Sequence, residues 1–131
     1  MSEPLPQNKE VDDFILQEID TVPHLEALLL MLNSQPRQWT VEEMAAALYV
    51  SPYVTRTILQ GLTRRRFLAA QGQTPESYIY QPASASLDRV IRAVDIAYRT
   101  NLIRISRMIH AKGTASVREF AQAFRFKKER D

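Results

Sequence analysis

The stretch TVEEMAAALYVSP, residues 40–52, contains two helix starts with room for only one short helix between them. Thr40 stands three residues before Glu43, the spacing of a capping box. In that motif the threonine side chain accepts from the glutamate amide, and the glutamate reaches back to the threonine amide. Ser51-Pro52 is the second start. Serine caps free amides, and proline has no amide to lose at the first helical position. The helix between them is short and rich in alanine, so another helix can cross it closely. A chain with this segment must set two helices at a tight corner.

Beyond that corner the periodicity changes. Val54, Ile58, Leu59 and Leu62 are expected to form the inner face of the second helix, which closes near Arg66. RFLAAQGQTPESYIYQP, residues 66–82, then predicts strand, turn and strand. Gly72 and Pro75 mark the turn, Tyr78 and Tyr80 alternate on the returning strand, and Pro82 ends it.

Upstream, residues 1–10 are expected to be a disordered N-terminus, with two prolines and few apolar groups. Val11, Phe14, Ile15 and Ile19 then share one helical face, with Asp12 and Asp13 suited to a helix start. Val22-Pro23 interrupts this pattern. HLEALLLMLNSQ follows, apolar on most sides, as a helix at the centre of a core is. A long helix is expected over residues 86–112. Its heptad seam is Leu87, Ile91, Val94, Tyr98, Asn101, Ile105 and Met108, and Gly113 stops it. A second capping box, Ser116 to Glu119, predicts a short helix over 117–126.

Composition narrows the function. The 131 residues hold no cysteine, which excludes disulfides, thiol catalysis and cysteine-based zinc sites. His24 and His110 are far apart, and no phosphate-binding loop, dinucleotide turn or HExxH motif is present. No enzyme activity, metal or cofactor is therefore expected. No apolar run reaches a membrane span and the first residues do not form a signal peptide, so a cytoplasmic chain with no membrane partner is expected. The net charge of +2 hides an asymmetry. Residues 1–50 hold two basic against nine acidic residues, and residues 51–131 hold fifteen basic against six acidic. The basic part can attract a polyanion or pair with the acidic part.

The segment MAAALYVSPYVTRTILQGLTRRRFL, residues 44–68, resembles the core of MarR-like and ArsR-like bacterial transcriptional regulators. Ala45 and Leu48 match their first helix, Val50 and Ser51 the turn and cap, and Val54, Ile58 and Leu62 the buried side of the second. The resemblance covers residues 23–82. It departs at Tyr49 and Arg66, where such proteins often carry glycine. It implies a mainly α chain with a winged helix-turn-helix: a three-helix core plus a two-stranded β-hairpin, with an N-terminal helix and a long C-terminal helix. Residues 11–82 would be the winged-helix domain and residues 83–131 the helical segment, through which regulators of this kind dimerise on palindromic duplex DNA.

A helix entering the major groove needs polar and basic groups on its outer face. With Val54, Ile58 and Leu62 inward, Tyr53, Thr55, Arg56, Gln60 and Thr63 are the outward candidates. Ser51 and the free amides beside it can hold a phosphate. Arg64, Arg65 and Arg66 suit backbone contact better than base readout. The wing tip QGQTPES carries Glu76 and no basic residue. That leaves a second reading: the same fold as a protein–protein interaction module without DNA binding.

Overall fold

The computed structural model describes residues 8–72 and 75–112. The expected helix over 117–126 and residues 1–7 lie outside the described residues. In chain order the elements are α1 (Asn8–Glu18), α2 (Val22–Asn33), β1 (Trp39–Thr40), α3 (Val41–Leu48), α4 (Pro52–Arg64), β2 (Leu68–Gln71), β3 (Ser77–Tyr80) and α5 (Ala85–Thr100). A further helix, α6, covers residues 102–112.

α2 is the hub. It packs on α3, α4, β3 and α5, and Leu25, Ala27, Leu28, Leu29, Met31 and Leu32 are buried on it. A helix buried against four elements must be apolar most of the way round, as its sequence is. The proline that interrupts α1 also opens α2: Pro23 sits in its first turn and Thr21 is its cap, accepting from the His24 amide at 3.3 Å.

The corner between α3 and α4 forms as the caps predict. Thr40 Oγ1 accepts from the Glu43 amide at 3.2 Å, and Glu43 Oε1 accepts from the Thr40 amide at 2.9 Å. These bonds hold the Glu43 carboxyl below the usual carboxylate range, the Thr40 amide contributing most. Ser51 Oγ accepts from the Val54 amide at 3.2 Å.

The sheet has three strands where two were expected. Its order is β1-β3-β2, antiparallel throughout. β2 pairs with β3 in the register Leu68 to Tyr80 and Gln71 to Ser77, and β1 adds Trp39 opposite Tyr78. Tyr78 and Tyr80 point into the core, as their alternation requires. β1 has two residues, too few for any period to show. It is held by tertiary contacts: Trp39 Nε1 donates to Ser34 Oγ at 3.0 Å, and the Arg37 guanidinium lies 3.6 Å from the Trp39 ring centroid.

The expected helix over 86–112 is two helices. α5 ends at Asn101, whose backbone leaves the helical region at φ −138° and ψ 51°. The Asn101 amide donates to Ala97 O at 2.8 Å, and its carbonyl accepts from the Ile105 amide at 3.0 Å. One residue thus closes α5 and opens α6. Most of the seam packs against the chain's own core. Ile91, Val94 and Ile105 are fully buried within the chain, Leu87, Tyr98 and Met108 pack against the same core, and Asn101 is exposed at the break. A heptad pattern reports which side of a helix is apolar. It does not report whether that side meets a partner copy or the chain's own α1 and α2.

Part of the charge asymmetry is met within the chain. Arg104 pairs with Asp12, Lys112 Nζ donates to Ile19 O at 2.9 Å and lies 3.9 Å from Asp20, and Arg65 pairs with Glu18. The acidic α1 therefore lies against basic groups of α6 and of the end of α4. Asp95 of α5 is nearly buried and is held by Arg99 at 2.9 Å and by Asn33 of α2 at 3.3 Å.

Candidate nucleic-acid interface

The candidate interface is the outer face of α4. Thr55, Ile58, Leu59 and Leu62 are its buried residues, spaced as one face of a helix is. Tyr53, Arg56, Thr57, Gln60 and Arg64 are exposed, and their positions follow the same three-and-four spacing on the opposite side. This row contains no acidic residue.

Two expected orientations are corrected. Thr55, expected outward, is fully buried, and Val54, expected inward, is 44% exposed. Polarity suggested the wrong side: threonine is stereochemically close to valine, and the 55–58–59–62 spacing fits a helical face better than 54–58–62. Thr57, which the sequence reading passed over, belongs to the outer row. It lies four residues after Tyr53 and three before Gln60, a spacing visible in the sequence once the buried face is known.

The Thr55 hydroxyl is buried without a hydrogen-bond partner. An unpaired buried hydroxyl costs about 1–3 kcal/mol, and valine keeps the shape without it. Thr55→Val is therefore expected to stabilise the fold by about 1 kcal/mol. Urea denaturation checks this: the midpoint should rise with an unchanged slope.

The remaining candidates divide. Ser51 caps α4. Thr63 is half-buried and donates its hydroxyl to Leu59 O at 2.7 Å. Arg64 and Arg66 are exposed. Arg65 is turned toward α1: it pairs with Glu18, lies 3.8 Å from Asp20 and reaches the Gln17 carbonyl at 3.4 Å. It was expected to contact a phosphate, but its charge is met inside the chain. Consecutive helical residues point about 100° apart, so three arginines in a row cannot all face one groove.

Both ends of α4 carry a left-handed residue that is not glycine. Tyr49 has φ 56° and Arg66 φ 65°. Each follows a helix end with the bonding of a Schellman cap. The Val50 amide donates to Ala45 O at 3.2 Å after α3, and the Phe67 amide to Leu62 O at 3.1 Å after α4. Glycine adopts this conformation at no steric cost. Here the corner keeps its geometry with a tyrosine and an arginine.

β2 of the wing packs on α4. Burial first, and the Glu76 carboxylate second, push the Tyr78 hydroxyl up to about 12, while Arg56 acts in the opposite direction.

No protein-family model matches the sequence, and no curated protein matches it. Solved structures do. MepR, a transcription regulator of the Staphylococcus aureus multidrug efflux pump MepA, aligns at 16% identity and a TM-score of 0.52, over 88% of each chain. A MarR family transcription regulator aligns at 20% identity and a TM-score of 0.50, over 94% of this chain and 83% of the other. The fold is a MarR-type winged helix. A Mycobacterium tuberculosis protein aligns at 17% identity and a TM-score of 0.53, over 76% of this chain, which spans 65% of that longer one. In winged-helix terms, α3 and α4 are the two helices of the turn, and β2 and β3 form the wing.

Among the described residues no cluster of histidine and carboxylate groups can hold a metal ion, and no helix is long and apolar enough to cross a membrane.

Proposed function

We propose that this protein is a homodimeric transcription regulator that binds duplex DNA with α4 in the major groove. The observation that carries this reading is the outer row Tyr53, Arg56, Thr57, Gln60 and Arg64: exposed, free of acidic groups and opposite a fully buried face. Arg56 has the fork to take the O6 and N7 edge of guanine, and Gln60 the amide to take adenine. Arg64, Arg66 and the capped helix start at Ser51 suit phosphates. The likeness to winged-helix regulators supports the reading, and a point variant of MepR bound to an oligodeoxyribonucleotide aligns with this chain at 15% identity and a TM-score of 0.53.

The test is a salt titration of binding to random-sequence duplex. Affinity should fall steeply with salt, with a slope of about −0.9 per phosphate neutralised. A chain that binds no duplex at low salt is not a DNA-binding regulator.

The dimer in this proposal uses a different surface from the heptad seam. Ile96, Leu102 and Ile103 are 46%, 52% and 66% exposed around the α5–α6 break. Apolar groups this exposed on either side of one helix break suit a partner's surface. Sedimentation of Leu102→Asp/Ile103→Asp should give a folded monomer where the unaltered chain gives a dimer. A double variant that still dimerises places the interface elsewhere.

A further inference from the structure

Tyr49 occupies a left-handed backbone position, and its side chain is 96% exposed. A residue held in that conformation is normally repaid by packing of its side chain, or is replaced by glycine. The Tyr49 side chain has no such packing. Four residues on, in the first turn of α4, Tyr53 is 80% exposed, and the adjacent Val54 is 44% exposed. Three apolar side chains therefore stand bare at the N-terminal end of the helix whose outer row carries Arg56 and Gln60. The cap that ends α3 accounts for this backbone and leaves the side chain turned to solvent, free for an external contact.

On the reading that α4 enters the major groove, we infer that Tyr49, Tyr53 and Val54 form an apolar edge that recognises the 5-methyl groups of thymine. The thymine methyl is the apolar group that a base pair presents in the major groove, and it is matched there by apolar side chains. The N-terminal end of such a helix is the part that reaches base edges. Arg56, one turn along, is an exposed cation beside that edge, and Arg64 and Arg66 are exposed at the far end of the helix, where they suit phosphates farther along the duplex. A protein surface is the competing occupant of an exposed aromatic pair. The absence of acidic residues from α4 favours the polyanion.

The experiment uses the full chain and a duplex selected by it from a random pool. That duplex is then resynthesised with deoxyuridine in place of thymidine, which removes the methyl and keeps every hydrogen-bonding group. The unaltered chain should bind the thymine duplex more tightly, by roughly fourfold for each methyl that the edge buries. Tyr49→Gly should keep or raise the thermal midpoint, because the strain is relieved, and should bring the ratio of the two affinities close to one. Arg66→Gly relieves the other left-handed position. It should weaken both duplexes alike and leave the ratio intact. If the glycine variant at 49 loses cooperative unfolding, Tyr49→Asn gives the same comparison, since asparagine tolerates this backbone region.

Equal binding of the two duplexes by the unaltered chain overturns the inference while the DNA-binding reading stands. So does a Tyr49→Gly chain that keeps the full ratio. Failure to bind either duplex at low salt overturns both.

Discussion

Arg56→Ala combined with Gln60→Ala is expected to lower affinity for a selected duplex by roughly 30-fold or more, because each bidentate base contact discriminates by about 1–3 kcal/mol. The two positions stand four residues apart in the exposed row of α4, so both side chains can address neighbouring base pairs on one groove floor. Binding to random duplex should change far less, since that affinity comes from phosphates. Arg64→Ala should show the opposite pattern: weaker binding to all sequences, and a salt slope shallower by about one unit. All three residues are exposed, so stability should stay within about 0.5 kcal/mol of the unaltered chain. Competition binding at two salt concentrations separates the patterns. Equal loss on selected and random duplex from the double variant removes Arg56 and Gln60 from base readout.

Leu28→Ala carries the largest expected effect on stability, a loss of about 2–5 kcal/mol. Leu28 is fully buried on the helix that touches α3, α4, β3 and α5, so neighbours on several sides are fixed and the cavity cannot easily collapse. For a chain of this size that loss corresponds to a fall in the thermal midpoint of roughly 10–20 °C. It is also a large part of the roughly 5–15 kcal/mol that holds a typical domain folded. Because α2 joins the winged half to α5, both halves should melt in one transition at the lower temperature. Calorimetry reads this directly. Two separate transitions would mean that α2 does not couple the halves.

Several elements are legible in the sequence because their causes are local. The capping box at Thr40 and Glu43, the Ser51-Pro52 start and the turn around Gly72 each depend on residues within a few positions. The apolar run of α2 announces a helix buried on most sides whatever its neighbours are. The exposure of Arg56 and Gln60 was also legible, since the buried spacing Ile58, Leu59 and Leu62 leaves them no inward position.

Other features have distant causes. β1 exists because Trp39 is held by Ser34 and pairs with Tyr78, and no two-residue pattern announces it. Thr55 faces inward because the packing of α3 and the sheet selects one helical face, overriding its polarity. Arg65 turns away from the candidate groove because α1 brings Glu18 beside it.

Local capping, turn chemistry and apolar period were thus enough to specify a winged-helix order and its second helix, since each acts over one or two turns. Which side of that helix is free, which arginines remain available, and what covers the C-terminal seam within the chain were set by contacts between residues far apart in sequence. Burial is a property of what covers a side chain, and the covering residues of α4 and α5 come from α1, α2, α3 and the sheet.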